Sequence, residues 1–192
     1  MDVSAYRLLY DNIHDFKTTA RLVESEIKRH GIRDDSQDPV PTMKGRIHHD
    51  MWVSMKTVSH FNLAIALESL LKLLLFLNKV PLPREHLLVS LHDKLPAKCR
   101  TQLEATYQAT NAGYELIAYV NVPSPTTPVD KPPARDISSL RGFFEYFDED
   151  MVLWQKRYSW ELVEQQRHRH YVSDLSVFIA FIGRVMGDIE RF

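Results

Sequence analysis

The segment Phe61–Leu77 constrains the fold more than any other part of the sequence. Thirteen of its 17 residues are apolar, and on a helical wheel the four polar residues fall within an arc of roughly 120°. The remaining arc of about 240° is apolar, much wider than the stripe of an ordinary surface helix. We therefore expect a helix that other helices enclose on most sides, with a narrow polar seam. The seam consists of Asn62, Glu68, Ser69 and Lys72.

This segment is predicted to be the core helix of a globular domain and not a membrane span. A spanning helix needs about 20 predominantly apolar residues, and Glu68 and Lys72 near the middle of the segment would be costly at bilayer depth. Of all 192 residues, 44% are hydrophobic and 26% are charged, as in soluble globular proteins. The length suits one domain over residues 1–192, and we expect no membrane partner.

Cysteine usage and the N-terminal sequence both favour a cytoplasmic location. Cys99 is the single cysteine, which excludes an internal disulfide and suits a reducing compartment. The first residues lack the basic region and apolar core of a signal peptide. Lys98 and Arg100 could lower the pKa of the Cys99 thiol, but no catalytic partner for it is evident, so we interpret it as a plain thiol.

Helical periodicity covers most of the chain, and no strand-like alternation competes with it. The predicted helices are 3–30, a second from about Arg46 or His49 to Asn78, a region over 87–107, a helix over 140–148, and a long final helix from about Trp160 to Glu190. Gly31 is a typical helix stop, and Pro96 suits the first turn of a new helix, so the third region splits there. Ser138 and Ser139 can cap the helix that begins at 140.

A proline-rich segment interrupts the helical pattern. Residues 121–136 contain five prolines and almost no apolar side chains, a composition typical of an extended, exposed loop. The part of the chain after it is too short for an independent core. The fold is therefore predicted to be all-α, a single-domain antiparallel helical bundle with a long, buried central helix and a proline-rich loop insertion.

Two central elements resemble the helical pair of the HEPN-like superfamily, which is named for nucleotide-binding domains of higher eukaryotes and prokaryotes. The first is a helix with alanine, glutamate and lysine at intervals of four, and the second is a leucine-rich element with a His-Asp doublet. Their residues are Ala64, Glu68, Lys72, Leu88, Leu91, His92, Asp93 and Leu95. A later segment is similar to the arginine-bearing helix of some HEPN-like chains and contains Arg157, Tyr158 and Glu161.

The resemblance extends over about residues 52–192 and implies a helical bundle that often forms a dimer. Some HEPN-like proteins are metal-independent ribonucleases of defence and toxin–antitoxin systems, whereas others only bind. For this chain the resemblance implies a homodimer in a bacterial stress or defence system. It also implies RNA or a nucleotide as ligand, or a protein partner from the same locus, and no cofactor.

The sequence departs from the active members at the ribonuclease motif, in which four to six residues separate an arginine from a histidine. Ten residues separate Arg157 from His168, and Tyr158 follows the arginine in place of Asn, Asp or His. We therefore interpret the protein as a binding or regulatory module without catalytic activity. The alternative is a divergent ribonuclease whose candidate catalytic residues are Arg157, His168 and His170.

One formal match to the motif lies elsewhere. Six residues separate Arg7 from His14, but Leu8 follows the arginine and the pair lies on the first helix instead of a late one.

The doublet His92-Asp93 raises another alternative, a metal-dependent phosphohydrolase of HD type. Such an enzyme needs a further histidine upstream and an aspartate downstream that converge on a metal ion. Candidates are His48, His49 and His60 upstream, and Asp136, Asp148 and Asp150 downstream. Because nine histidines in the chain make such a set easy to assemble by chance, we predict no metal site.

Several of these residues are also candidate ligand contacts. Glu68 and Lys72 have the spacing of an intrahelical ion pair, but on a mostly buried helix they could face a ligand or a second subunit, as could His92 and Asp93. Arg157, Tyr158 and Glu161 lie between tryptophans, where an arginine can bind a phosphate or stack on a base. The basic run Arg167, His168, Arg169 and His170 is either a solvated helix face or a site that contacts phosphates.

Overall fold

The structure is a computed structural model that describes residues 3–32, 43–111, 118–120, 137–151, 169–171 and 175–192, with the backbone alone for 43–50, 53, 118–120, 149–151 and 169–171. Six α-helices make up almost all of this part of the chain. They are α1 (Val3–Arg29), α2 (Met43–Leu77), α3 (Leu88–Asp93), α4 (Ala97–Asn111), α5 (Leu140–Met151) and α6 (Ser176–Gly187), followed by a 3₁₀ turn (Ile189–Arg191). The all-α prediction is confirmed.

The helix boundaries follow local signals in the sequence. Gly31, with φ of 59°, ends α1 in the left-handed conformation that glycine adopts at little steric cost. Pro96 separates α3 from α4 as predicted. At the start of α5, the Ser139 hydroxyl accepts a hydrogen bond from the Gly142 N–H at 3.0 Å, so the predicted cap forms. The predicted loop 121–136 lies outside the described residues.

The final helix is shorter than predicted, and a strand precedes it. We expected a helix from Trp160 to Glu190, but α6 begins only at Ser176. Arg169–Tyr171 forms a strand, β2, that pairs antiparallel with β1, Ala118–Val120. The prediction was wrong here because strand pairing is a non-local interaction, and three residues are too few to show an alternating pattern. The predicted start at Trp160 lies outside the described residues.

The central helix α2 is enclosed as its sequence predicts. Its buried apolar residues are at most 1% exposed from the middle of the helix to its end. They are Leu63, Ala66, Leu67, Leu70, Leu71, Leu73, Leu74 and Leu75. These residues belong to one core cluster to which every one of the other five helices contributes. Because burying one leucine side chain stabilises the fold by roughly 1.5–3 kcal/mol, these residues of α2 make a large contribution to the hydrophobic stabilisation.

An aromatic layer closes the core between α4, α5 and α6. The rings of Phe143 and Phe178 stack with centroids 4.1 Å apart, and the ring of Tyr107 lies 5.4 Å from that of Phe143. The Tyr107 hydroxyl donates a hydrogen bond to the Ile137 carbonyl at 2.6 Å. This bond satisfies the polar end of a buried tyrosine and attaches the segment before α5 to α4.

A buried ion pair joins α1 to α2. Lys56 Nζ donates to Glu24 Oε2 at 2.6 Å, with side chains only 1% and 5% exposed, and the ammonium lies 5.9 Å from the centroid of the Trp52 ring. Nearby, the Ser59 hydroxyl lies 3.4 Å from the Ala20 carbonyl. Glu24 contacts Lys56, and Ala20, four residues earlier in α1, contacts Ser59, three residues later in α2. The two helices are therefore antiparallel.

One stretch of the described residues, Ser54–Leu77, is long and apolar enough to cross a membrane by length and composition. More than half of its most apolar window is buried within the protein, and the core helix of a globular protein meets the same two criteria.

The ion pair between Glu24 and Lys56 generates a prediction about stability. Glu24→Gln leaves a buried ammonium without its counter-charge, so we expect the free energy of unfolding to fall by about 3 kcal/mol or more. Urea unfolding monitored by circular dichroism measures this loss. The control Glu26→Gln removes an exposed carboxylate that pairs with Arg29 and should change the free energy by less than about 0.5 kcal/mol.

The double variant with Glu24→Leu and Lys56→Met separates the lost counter-charge from lost packing. It buries no charge, so we expect it to recover most of the stability that Glu24→Gln loses. Equal stability of Glu24→Gln and the wild type would contradict this interpretation.

Candidate functional site

Two residues of the polar seam of α2, Glu68 and Lys72, form a cluster with His86 from the segment after that helix. Lys72 Nζ donates to Glu68 Oε1 at 2.7 Å, and both side chains are largely buried. His86, from the segment between α2 and α3, places Nδ1 2.9 Å from the same carboxylate oxygen. Glu68 therefore already has two partners within the protein, which favours the structural interpretation of the predicted Glu68–Lys72 pair. The sequence analysis did not identify His86 as a member of this site.

The predicted doublet His92-Asp93 lies at a junction of α3, α4 and α5. Arg141 Nη1 donates to both carboxylate oxygens of Asp93, at 2.9 and 3.2 Å, and Arg141 Nε donates to Glu145 at 3.0 Å. The ring of Phe144 lies 5.5 Å from the imidazole of His92. Asp93 therefore faces outward to a cation of α5, while His92 is directed towards the aromatic core.

The imidazole of His92 is buried without hydrogen bonds. Its side chain is 11% exposed, and neither ring nitrogen has a hydrogen-bond partner, since the nearest Asp93 oxygen lies 3.6 Å from Nδ1. Burial lowers the pKa of His92, the charges of Arg100 and Arg141 lower it further, and Asp93 opposes this change. A neutral imidazole with an unbonded donor and an unbonded acceptor costs about 1–3 kcal/mol for each group.

Arg100 lies in the first turn of α4, and none of the described residues forms a hydrogen bond or ion pair with its side chain. Its Nε is buried and unbonded. The acid one helical turn away, Glu104, is engaged elsewhere, since it accepts hydrogen bonds from the Leu140 N–H at 3.2 Å and from Gln108 at 2.8 Å. Among the described residues, Arg100 therefore has no ion-pair partner, and the nearest polar contact of His92 is Asp93 Oδ1 at 3.6 Å.

The described part of the chain contains no metal site of the kind that an HD-type phosphohydrolase needs. There, no three His, Cys, Asp or Glu side chains come together closely enough to hold a metal ion. Both carboxylate oxygens of Asp148 accept backbone N–H groups at the start of α3, from Leu88 at 2.7 Å and from Val89 at 2.9 Å. Asp148 therefore caps α3 and is unavailable as a ligand. Asp136 and the side chains of His48, His49 and Asp150 lie outside the described residues.

His60, the third upstream candidate of that alternative, lies in the core. It is fully buried, with Nδ1 2.8 Å from the Lys56 carbonyl and with the rings of Tyr146 and Phe147 at 6.1 and 6.0 Å. Burial lowers the pKa of His60 to about 3, the backbone hydrogen bond opposes this change, and the charge of Lys56 adds to it. His60 is a neutral core residue at physiological pH and not a metal ligand exposed to substrate.

Cys99 is a buried thiol, as the plain-thiol interpretation requires. Lys98 and Arg100 are its neighbours in the sequence, but burial raises the pKa of Cys99 to about 11. The thiol is therefore protonated and unreactive near neutral pH.

The later candidates cannot be placed at one site. Arg157, Tyr158, Glu161, Arg167 and His168 lie outside the described residues. Arg169 and His170 are described by their backbone, which pairs with Val120 and Tyr119 in the β1–β2 ribbon. The basic run was predicted to lie on a helix, and this is wrong for Arg169 and His170, because they are paired in a strand.

The formal ribonuclease match lies on an exposed face of α1 and not on a late helix. Arg7 pairs with Asp11 at 3.7 Å, and His14 is exposed beside Asp15.

Sequence reasoning missed Arg100 and Arg141, which the fold brings to His92 and Asp93. A helical wheel cannot identify these contacts, because His92 and Asp93 lie on α3, Arg100 on α4 and Arg141 on α5. With the fold and these clusters established, comparison with family models, curated proteins and solved structures finds no significant match.

The depressed pKa of His60 generates a prediction about acid stability. The unfolded chain takes up a proton at this residue as the pH falls below 6.5, whereas the folded protein does not until about pH 3. Stability is therefore lost as the pH falls through this window. Between pH 7.5 and 5.0 the loss from His60 is about 2 kcal/mol.

Urea unfolding of wild type and His60→Gln at the two pH values measures this contribution. The variant should lose about 2 kcal/mol less than the wild type on acidification, whatever its stability at pH 7.5. The control His14→Gln removes an exposed imidazole and should retain the wild-type loss. An unchanged acid sensitivity in His60→Gln would rule out the buried neutral state.

Proposed function

We propose that this chain is a HEPN-like helical protein of the cytoplasm that binds RNA or a nucleotide without cleaving it and acts as a homodimer in a bacterial stress or defence system. The proposal starts from the resemblance of its two central elements and from the departure of Arg157 and His168 from the ribonuclease spacing. A protein partner encoded at the same locus is compatible with the same scaffold.

The observation that carries the proposal is the packing of the two elements that show the resemblance. They become α2 and α3, which contact each other, and His86 from the intervening turn meets Glu68 of the polar seam. The His92-Asp93 doublet then anchors α5 through Arg141. A helical scaffold whose acids serve as caps and ion-pair partners is suited to binding, since these carboxylates are not available as general acids or bases.

A divergent ribonuclease of the same fold is the second candidate. In that case Arg157 would stabilise phosphate charge, and His168 or His170 would transfer protons.

The proposal predicts salt-dependent RNA binding. Fluorescence anisotropy with a 5′-labelled single-stranded RNA should show a Kd that rises with salt. The double variant of Arg167→Gln with Arg169→Gln should raise the Kd roughly tenfold at 0.15 M salt and flatten the salt dependence, because two phosphate contacts are lost. The control Arg21→Gln with Arg29→Gln removes two positive charges from α1 and should leave the Kd within about twofold.

The same RNA, incubated with the protein in EDTA and resolved on a gel, tests the absence of catalysis. We expect it to stay intact. Cleavage that disappears in Arg157→Ala would show a metal-independent ribonuclease and replace the first proposal by the second. RNA that is neither bound nor cleaved at micromolar protein would remove both.

The homodimer is a separate prediction. Size-exclusion chromatography with light scattering should give twice the chain mass of 22.4 kDa at micromolar concentration. A mass of one chain over the whole concentration range would reject the homodimer while leaving the RNA-binding prediction intact.

A further inference from the structure

We propose that the outward face of α1 is a docking surface for an acidic amphipathic helix of a protein partner. The inference rests on the protein-partner part of the proposed function and does not require RNA binding. The face consists of two neighbouring rows in which residues recur every seven positions. They are a basic row of Arg7, His14, Arg21 and Lys28, and a leucine row of Leu8, Asp15, Leu22 and Arg29.

Both rows lie on the side of α1 that faces solvent. Seven residues of α-helix span about 10.5 Å and nearly two full turns, so the members of a row lie on the same side of the helix. All eight residues are exposed, with Leu8 at 63% and Leu22 at 58%. The buried pair of Glu24 with Lys56 fixes α1 against α2, so the face is presented on a rigid support.

The charges of α1 favour an acidic partner. Outside the core this helix contains five lysine and arginine side chains and three acidic ones, and none of the acids belongs to the basic row. Arg7 pairs with Asp11 at 3.7 Å, but an exposed pair of this kind is worth little. No described acid pairs with Arg21. Burial lowers the pKa of the neighbouring Lys17 and the charge of Arg21 lowers it further, as expected where cations adjoin. A partner with carboxylates along the basic row would complement this surface.

A second copy of α1 complements this face poorly. In a parallel pair of helices each residue of the leucine row would meet its own copy, so Asp15 would face Asp15 and Arg29 would face Arg29. In an antiparallel pair the same edge of both helices adjoins, so the two basic rows would repel each other. Charge complementarity therefore indicates a different chain with acidic residues.

The leucine row favours a protein over RNA at this face. Leu8 and Leu22 offer apolar area that a phosphate chain does not use, and Asp11 and Asp15 between them would repel phosphates. A helix can cover both leucines with apolar side chains, place a cation at Asp15 and align carboxylates with the basic row. A seven-residue repeat is the pattern with which helices pair, and charges beside the apolar positions select the partner.

Fluorescence anisotropy with two synthetic peptides and the full chain tests the surface. The acidic peptide has four heptads with leucine at the two core positions, glutamate at the flanking positions and one lysine opposite Asp15. The basic peptide has lysine in place of each glutamate. The wild type should bind the acidic peptide about tenfold more tightly than the basic one, because only the acidic peptide matches the basic row.

Variants of each row sharpen the test. Leu8→Ser with Leu22→Ser should raise the Kd for the acidic peptide about tenfold, because two apolar contacts are lost. Arg7→Glu with Arg21→Glu should reverse the preference, so that the basic peptide binds more tightly.

The matched controls lie outside α1. Leu82→Ser with Leu87→Ser removes leucines that are 41% and 44% exposed, and Arg84→Gln with Lys98→Gln removes two exposed cations. Both control variants should leave the Kd within about twofold.

Several outcomes would overturn the surface. These are equal binding of the two peptides, binding of neither at submillimolar protein, and a charge-reversal variant that keeps the wild-type preference. Light scattering that shows one chain mass for Leu8→Ser with Leu22→Ser, where the wild type shows two, would assign the face to the homodimer instead. Displacement of the acidic peptide by single-stranded RNA would assign it to nucleic acid.

The surface and the RNA-binding proposal can fail separately. RNA binding by a protein that binds neither peptide would reject this surface and leave the RNA-binding prediction intact. Selective binding of the acidic peptide by a protein that does not bind RNA would support the surface and reject the RNA-binding prediction.

Discussion

The apolar face of α2 has to be removed from water, and the other helices are arranged around that requirement. The leucines of this helix from Leu63 to Leu75 are at most 1% exposed, and every other helix contributes to the same core cluster. A helix that is apolar over so wide an arc can carry polar side chains only along a narrow line. Glu68 and Lys72 lie along this line, and the Glu68 carboxylate contacts both Lys72 and His86.

The polar groups that do lie inside the protein fall into two kinds. Glu24 and Lys56 pair across the interface of α1 and α2 through Glu24 Oε2, while Glu24 Oε1 has no hydrogen-bond partner, and burial keeps His60 neutral. Such groups fix how two helices fit together, because any other alignment would bury a charge without its partner. His92 and Arg100 are of the second kind, since neither side chain forms a hydrogen bond or ion pair with another described helix.

The acids around the junction of α3, α4 and α5 serve the architecture. Asp148 caps α3, Glu104 holds the first amide of α5, and Asp93 neutralises Arg141. These contacts fix short helices that intrinsic propensity alone would not stabilise.

Helices with local signals could be predicted from the order of residues. The wide apolar arc of Phe61–Leu77, the stop at Gly31 and the break at Pro96 each depend on neighbouring residues, and each has the expected structure. Tertiary structure alone decided the strand at Arg169–Tyr171, whose pairing partner lies far away in the chain. It also decided which charges meet, because Glu24 and Lys56 lie on different helices, as do Arg100, His92 and Arg141. Periodicity shows which face of a helix is buried, but not which residue of another helix it faces.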